Sequence, residues 1–343
     1  MKKLIFATLA VIMLYGCKES YEPIQHIELG KISFGDVDTR VDSASEIDEF
    51  SVWASVSSIG SSDVSYEPIL TNERVYRNPL DTNNWIYDNE QLWISNSMFY
   101  FLAFYPYNEG FEEVCIEEDD YGYTYYALDL SSDGAAYTDD MLVATKVVNT
   151  NDSSFNHNNP VELTFEHLLT KVNLKIRQDY KSDPDFDYYV SKITITGVRS
   201  GGMCYLLPGV DIIESYWDTT NANFITIEKE FDTPFKLIDR TATEKILTLD
   251  VWGEEGGLML MPQTIASRAV KVRIDFYYDV NPDDDSIGEL NNIEGFIPAT
   301  NLWQSGKVIN YTLDIARQND ITFSQPTIDP WGAPQTGGTI IIK

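Results

Sequence analysis

The chain is poor in the residues around which most enzymes and metal proteins are built. Three cysteines in 343 residues cannot make a disulfide framework, and three histidines, His26, His157 and His167, cannot assemble a histidine-rich metal cage. Basic residues are also scarce, 24 Lys and Arg against 54 Asp and Glu, for a formal charge of −30. That excess repels phosphate backbones, so nucleic acid is excluded as a partner. There is no Gly-x-Ser-x-Gly elbow, no His-Glu-x-x-His and no His/Cys nucleophile pair. The expectation is a protein that is not an enzyme, with no catalytic residue, metal or cofactor. Helical periodicity is scarce too, which points to an all-β chain. What is present is apolar material: 43% hydrophobic and 13% aromatic residues are enough for the cores of two ordinary domains and exclude disorder as the main state.

At the N-terminus, Lys2 and Lys3 precede an apolar run from Leu4 to Leu14 that is too short to span a bilayer, so residues 1–16 read as a signal peptide. The run ends in Leu14-Tyr15-Gly16-Cys17, which resembles the lipobox of bacterial lipoproteins. Cys17 would then be lipidated and become the first mature residue. Several acyl chains on one cysteine anchor more durably than one, so the outer membrane is the expected partner of this end.

Residues 17–45 form an N-terminal segment. Within it Ile27-Glu28-Leu29-Gly30-Lys31-Ile32-Ser33-Phe34 alternates in the manner of an edge strand, and the polar stretch from Asp36 to Ser45 reads as an exposed loop. Arg40 stands in that loop as the only basic residue between Lys31 and Arg74. From residue 46 to 150, β-branched and aromatic residues recur with a two-residue period, as in Phe50-Ser51-Val52-Trp53-Ala54-Ser55-Val56, between closely spaced turn signals. The polar run from Asn149 to Pro160 is read as a domain boundary. Residues 160–330 alternate again, for example Val161-Glu162-Leu163-Thr164-Phe165-Glu166-His167. The pattern predicts two tandem antiparallel β-sandwich domains followed by a tail, residues 331–343, that ends in a short apolar strand after Gly337-Gly338.

Several stretches in this order resemble the fimbrillin family, the type V pilins and pilin-like lipoproteins of Gram-negative gut and oral anaerobes. They are the lipobox at Cys17, Thr39-Arg40, Phe101-Leu102-Ala103-Phe104-Tyr105-Pro106, residues 165–172 (Phe165-Glu166-His167-Leu168-Leu169-Thr170-Lys171-Val172), Leu260-Met261-Pro262-Gln263, and the stretch from Trp303 to Leu313. The resemblance implies a transthyretin-like fold for both sandwiches and a fimbrial subunit at the cell surface whose partners are other subunits. It further implies that an arginine-specific protease cuts after an arginine near the first domain, here between Arg40 and Val41. The released strand would lie within residues 27–34, and a neighbour's strand would fill the groove. The candidate donor is Thr339, Ile340, Ile341 and Ile342, an apolar run that would be an aggregation hazard if left uncovered.

Other chemistry is weaker. His167 reads as a packed or half-exposed structural histidine, because Glu166 beside it points to the opposite face of a strand. The stretch from Asp279 to Glu289 resembles a calcium loop but has Asp284 at its sixth position, Pro282 within it and Leu290 at its twelfth, and reads as an acidic hairpin loop. Cys115 and Cys204 are expected as two free, mostly buried thiols. The rival function is a glycan-binding or adhesive surface lipoprotein that does not polymerise, with Tyr121-Gly122-Tyr123-Thr124-Tyr125-Tyr126 as its aromatic platform.

Overall fold

The computed structural model describes residues 27–39, 47–60, 65–109, 114–118, 124–129, 140–178, 187–209, 216–220, 222–238, 247–253, 256–279, 288–316 and 320–331. Among these residues every regular element is a strand, so the fold is all-β. In chain order the strands are β1 (Glu28–Lys31), β2 (Phe34–Thr39), β3 (Glu49–Ser58), β4 (Glu67–Asn78), β5 (Asp81–Ile86), β6 (Leu92–Ile94), β7 (Ser97–Tyr105) and β8 (Val114–Glu118). There follow β9 (Thr124–Asp129), β10 (Leu142–Asn149), β11 (Val161–His167), β12 (Thr170–Gln178), β13 (Asp187–Arg199), β14 (Met203–Leu206), β15 (Tyr216–Asp218) and β16 (Phe224–Lys236). The last are β17 (Leu249–Asp250), β18 (Leu258–Leu260), β19 (Gln263–Ile265), β20 (Lys271–Asp279), β21 (Leu290–Phe296), β22 (Thr300–Trp303), β23 (Lys307–Ala316), β24 (Asp320–Phe323) and β25 (Thr327–Pro330).

The largest sheet has seven strands in the order β2-β11-β10-β7-β3-β4-β5. Its centre explains its sequence. β7 is buried along most of both faces and is therefore an almost unbroken aromatic and aliphatic run, SMFYFLAFY. β11, nearer the edge, alternates, with Val161, Leu163, Phe165 and His167 inward and Glu162 and Thr164 outward. The polar run between Asn149 and Pro160 joins β10 to β11, which are antiparallel neighbours in this sheet. In the second half of the chain, β17-β12-β23-β24 form one ladder, with β18 on β12 and β25 on β23, while β16-β13-β20-β21 form another. β20 and β21 flank the acidic loop as an antiparallel pair. A further sheet, β15-β14-β9-β8, draws strands from both halves. Two pairings are parallel, β2 with β11 and β12 with β23.

Three apolar clusters result. One lies against the seven-stranded sheet around Phe50, Trp93, Phe99, Phe101 and Phe165. A second fills the second half around Ile193, Val272, Ile309, Tyr311 and Leu313. The third joins the halves through Trp53, Leu102, Tyr126, Leu128, Leu168, Cys204 and Met261.

Candidate functional site: a parallel edge strand

The N-terminal segment enters the structure as two strands with a break between them. β1 runs antiparallel to β6, with Glu28 opposite Ile94 and Lys31 opposite Leu92. β2 then runs parallel to β11, with Phe34 opposite Val161, Val37 opposite Leu163, Asp38 opposite Thr164 and Thr39 opposite Phe165. The alternation in sequence ends at Phe34 and the polar residues Asp36 to Thr39 read as loop, but the backbone continues as strand to Thr39. An edge strand needs only backbone pairing on one side, so the polar composition of Asp36-Val37-Asp38-Thr39 does not prevent it.

The break at Ile32 and Ser33 is the most firmly held part of the segment. The Ile32 amide donates to the Gln91 carbonyl at 2.8 Å, and the Val161 amide donates to the Ser33 carbonyl at 2.7 Å. The Tyr87 hydroxyl donates to the Ile32 carbonyl at 2.8 Å. Burial pushes the Tyr87 phenol above its ordinary value, so it stays a donor. Side chains alternate here: Ile32 and Phe34 are 2% and 5% exposed, while Lys31 and Ser33 face solvent. The Phe34 ring meets Phe50, Tyr87 and Phe101 edge-on at centroid distances of 6.1, 5.4 and 6.2 Å.

This placement has a mechanical consequence. β2 ends its sheet, so it can leave without separating any other two strands. Its loss uncovers the backbone edge of β11 and the site of Phe34, and loss of the break before it vacates the site of Ile32 as well. β2 also approaches β5 at the opposite edge, so the vacancy would be a groove between two strands. Arg40 follows β2 directly, but Arg40 and Val41 lie outside the described residues, as do Cys17, Thr339, Ile340, Ile341 and Ile342.

His167 is packed, as expected, at 2% exposure; its Nδ1 lies 2.6 Å from Asp140 Oδ2, and the Trp331 ring lies flat against it. The tyrosine run splits by strand alternation. Tyr121 and Tyr123 lie outside the described residues, Tyr126 is core, and burial pushes its phenol well above the ordinary value. Tyr125 instead meets Tyr205 of β14 at 5.5 Å, and Tyr205 meets Tyr216 of β15 at 5.8 Å. Tyr216 is 65% exposed. The last two tyrosines come from β14 and β15, strands that no local pattern joins to β9. Among the described residues no cluster of His, Cys, Asp and Glu could hold a metal ion.

The chain matches the model of the fimbrillin-like family over residues 39–331. Its fold is similar to that of a fimbrial protein from Bacteroides vulgatus, at 16% identity and a TM-score of 0.60, covering 88% of this chain and 99% of that one. Two candidate cell adhesion proteins are also similar. One, from Bacteroides ovatus, has 15% identity, a TM-score of 0.47 and coverage of 89% and 98%. The other, from Bacteroides uniformis, has 16% identity, a TM-score of 0.45 and coverage of 88% and 98%. No curated protein matches the chain in sequence.

Proposed function

The chain belongs to the fimbrillin-like family, and from that membership we propose that it is a structural or accessory subunit of a cell-surface fimbria, assembled by proteolytic removal of an N-terminal strand and donor-strand exchange. The family is one of fimbrial and cell-adhesion proteins and not of enzymes. The observation that carries the assembly reading is β2: a parallel edge strand that ends one residue before Arg40, in a segment that gives Ile32 and Phe34 to the core. Cutting at Arg40-Val41 by an arginine-specific protease would free that segment, and Thr339, Ile340, Ile341 and Ile342 of another subunit would replace it, backbone for backbone and apolar side chain for apolar side chain. Lipidation at Cys17 would deliver the subunit to the outer membrane before cutting.

Electron microscopy and sizing of the mature protein before and after treatment with an arginine-specific protease test this. Fibres or a ladder are expected only after cutting, Arg40→Ala is expected to stay monomeric, and deletion of residues 339–343 should permit cutting but block growth. Fibres of Arg40→Ala with residues 18–40 still attached would overturn strand exchange at this position. A second reading, a glycan-binding lipoprotein that does not polymerise, has in its favour the contiguous rings of Tyr125, Tyr205 and Tyr216, of which the exposed Tyr216 could meet the apolar face of a sugar.

A further inference from the structure

β25 contributes almost nothing to a core. All four residues from Thr327 to Pro330 are exposed, and Ile328, the largest apolar one, is 41% exposed. It is held to the edge of β23 by backbone pairing in the register Thr327 with Asn310, Ile328 with Ile309, Asp329 with Val308 and Pro330 with Lys307. Asn310 Nδ2 adds a hydrogen bond to Asp329 Oδ2 at 3.0 Å. Ladder bonds open to water contribute little net stability, and a strand without buried side chains belongs to the part of a protein that opens first.

The next residue is different. The Trp331 amide donates to the Gly306 carbonyl at 2.8 Å, and its indole stacks on the His167 imidazole at 4.0 Å between centroids and 8° between planes. Lys171 Nζ lies 5.8 Å from the indole centroid. The platform beneath is fixed. His167 ends β11, is buried, and faces Asp140, while the Leu168 amide donates to the Met141 carbonyl at 2.8 Å. Trp331 thereby packs against the apolar cluster that joins the two halves.

We propose that Trp331 is the latch of the C-terminal strand: its seat on His167 holds β25 on the subunit's own β23, and vacating that seat frees β25 and the residues beyond it for a neighbour. The last clause rests on the donor-strand reading; the latch itself does not. A ladder that exchanges readily with water gains its lifetime from the partly buried aromatic that stacks on His167 at its end, so the residence of β25 follows the residence of Trp331.

Hydrogen exchange of the full-length, uncut protein tests the latch without assembly. Trp331→Ala is expected to speed exchange in peptides covering 307–310 and 327–331 by about tenfold or more, the equivalent of one aromatic contact, while peptides from β13 and β20 keep wild-type rates. Trp331→Phe, which keeps a ring on His167, should restore most of the protection and guards against a misfolded alanine variant. Unchanged exchange at 327–331 in Trp331→Ala overturns the latch. Growth of fibres after cutting at Arg40 tests its use: a shorter lag in Trp331→Ala supports release as a step of assembly, and fast exchange with an unaltered lag overturns that step. If neither wild type nor variant grows, donor-strand exchange fails, and the exchange rates still decide the latch.

Discussion

The Tyr87 hydroxyl donates to the Ile32 carbonyl at 2.8 Å and accepts from the Gln91 amide at 3.1 Å, so one phenol ties the N-terminal segment to the loop before β6. Tyr87→Phe keeps the ring that meets Phe34 but leaves both backbone groups without this partner, which costs about 1–3 kcal/mol. Urea melts should show the loss, and residues 27–39 should become more sensitive to proteolysis. The pH dependence has a definite sign. Burial raises the folded-state value of this phenol, so its contribution is intact below the ordinary value of about 10 and is lost as pH rises through the raised one. Tyr87→Phe should lose less stability than wild type over that alkaline range.

Phe34→Ala should cost about 3–5 kcal/mol, since a buried ring touching three others leaves a cavity. Lys31→Ala, whose ammonium pairs with Glu90 at the surface, should change stability by less than about 1 kcal/mol. Denaturant melts of the two variants compare a side chain that plugs the groove with one that only flanks it. Equal losses would mean that the segment is held by its backbone alone.

The parts of this fold that sequence reveals are those whose neighbours are local. Val161 to His167 alternates because one face of β11 is core, and β7 is apolar throughout because both its faces are covered. Pairings between distant segments leave no such trace. Nothing in Asp36-Val37-Asp38-Thr39 announces that it lies beside Leu163-Thr164-Phe165 in parallel register, or that Tyr205 and Tyr216 complete a row begun by Tyr125. Arg40 and Cys17 stand out in the sequence for a different reason, as chemically distinctive residues in a defined linear context, and both lie outside the described residues.

Cys204 should be inert in the native protein. It is fully buried, and burial pushes its thiol well above the ordinary value, so the reactive thiolate is suppressed. It should react with an aromatic disulfide reagent only after denaturation. A bridge to Cys115 is excluded by the ladder: β9 lies between β8 and β14, which sets the two backbones about 9 Å apart, beyond the roughly 7 Å reach of a disulfide. A mobility shift on oxidation of the folded monomer would contradict this register.

Tyr216→Ala separates the two functional readings. The residue is exposed at a sheet edge, so its removal should change stability by no more than about 0.5 kcal/mol. If the tyrosine row binds neutral glycans, the variant should lose retention on a glycan array on which the wild type is held, with fibre growth unaffected. No retention of the wild type would leave the row as ordinary cross-strand packing.

Gly197 and Gly60 make a matched pair for measuring what the backbone of β13 requires. Both have positive φ, +87° and +82°, so alanine at either position meets the same left-handed penalty, about 1–2 kcal/mol. Their surroundings differ. A Cβ at Gly60 would meet nothing within 4 Å, whereas at Gly197 it would lie 2.1 Å from the Ala269 carbonyl oxygen. Gly197 also sits where the register of β13 against β16 shifts, between Thr196 and Val198. Gly197→Ala must therefore push β13 away from residues 269–270 or abandon the bulge, and either change reaches Val198 and Val270 in the core. Thermal melts should show a modest loss for Gly60→Ala and a loss at least about 2 kcal/mol larger for Gly197→Ala. Equal losses would show that conformation alone, and not the close approach of the Ala269 carbonyl, fixes glycine at this position.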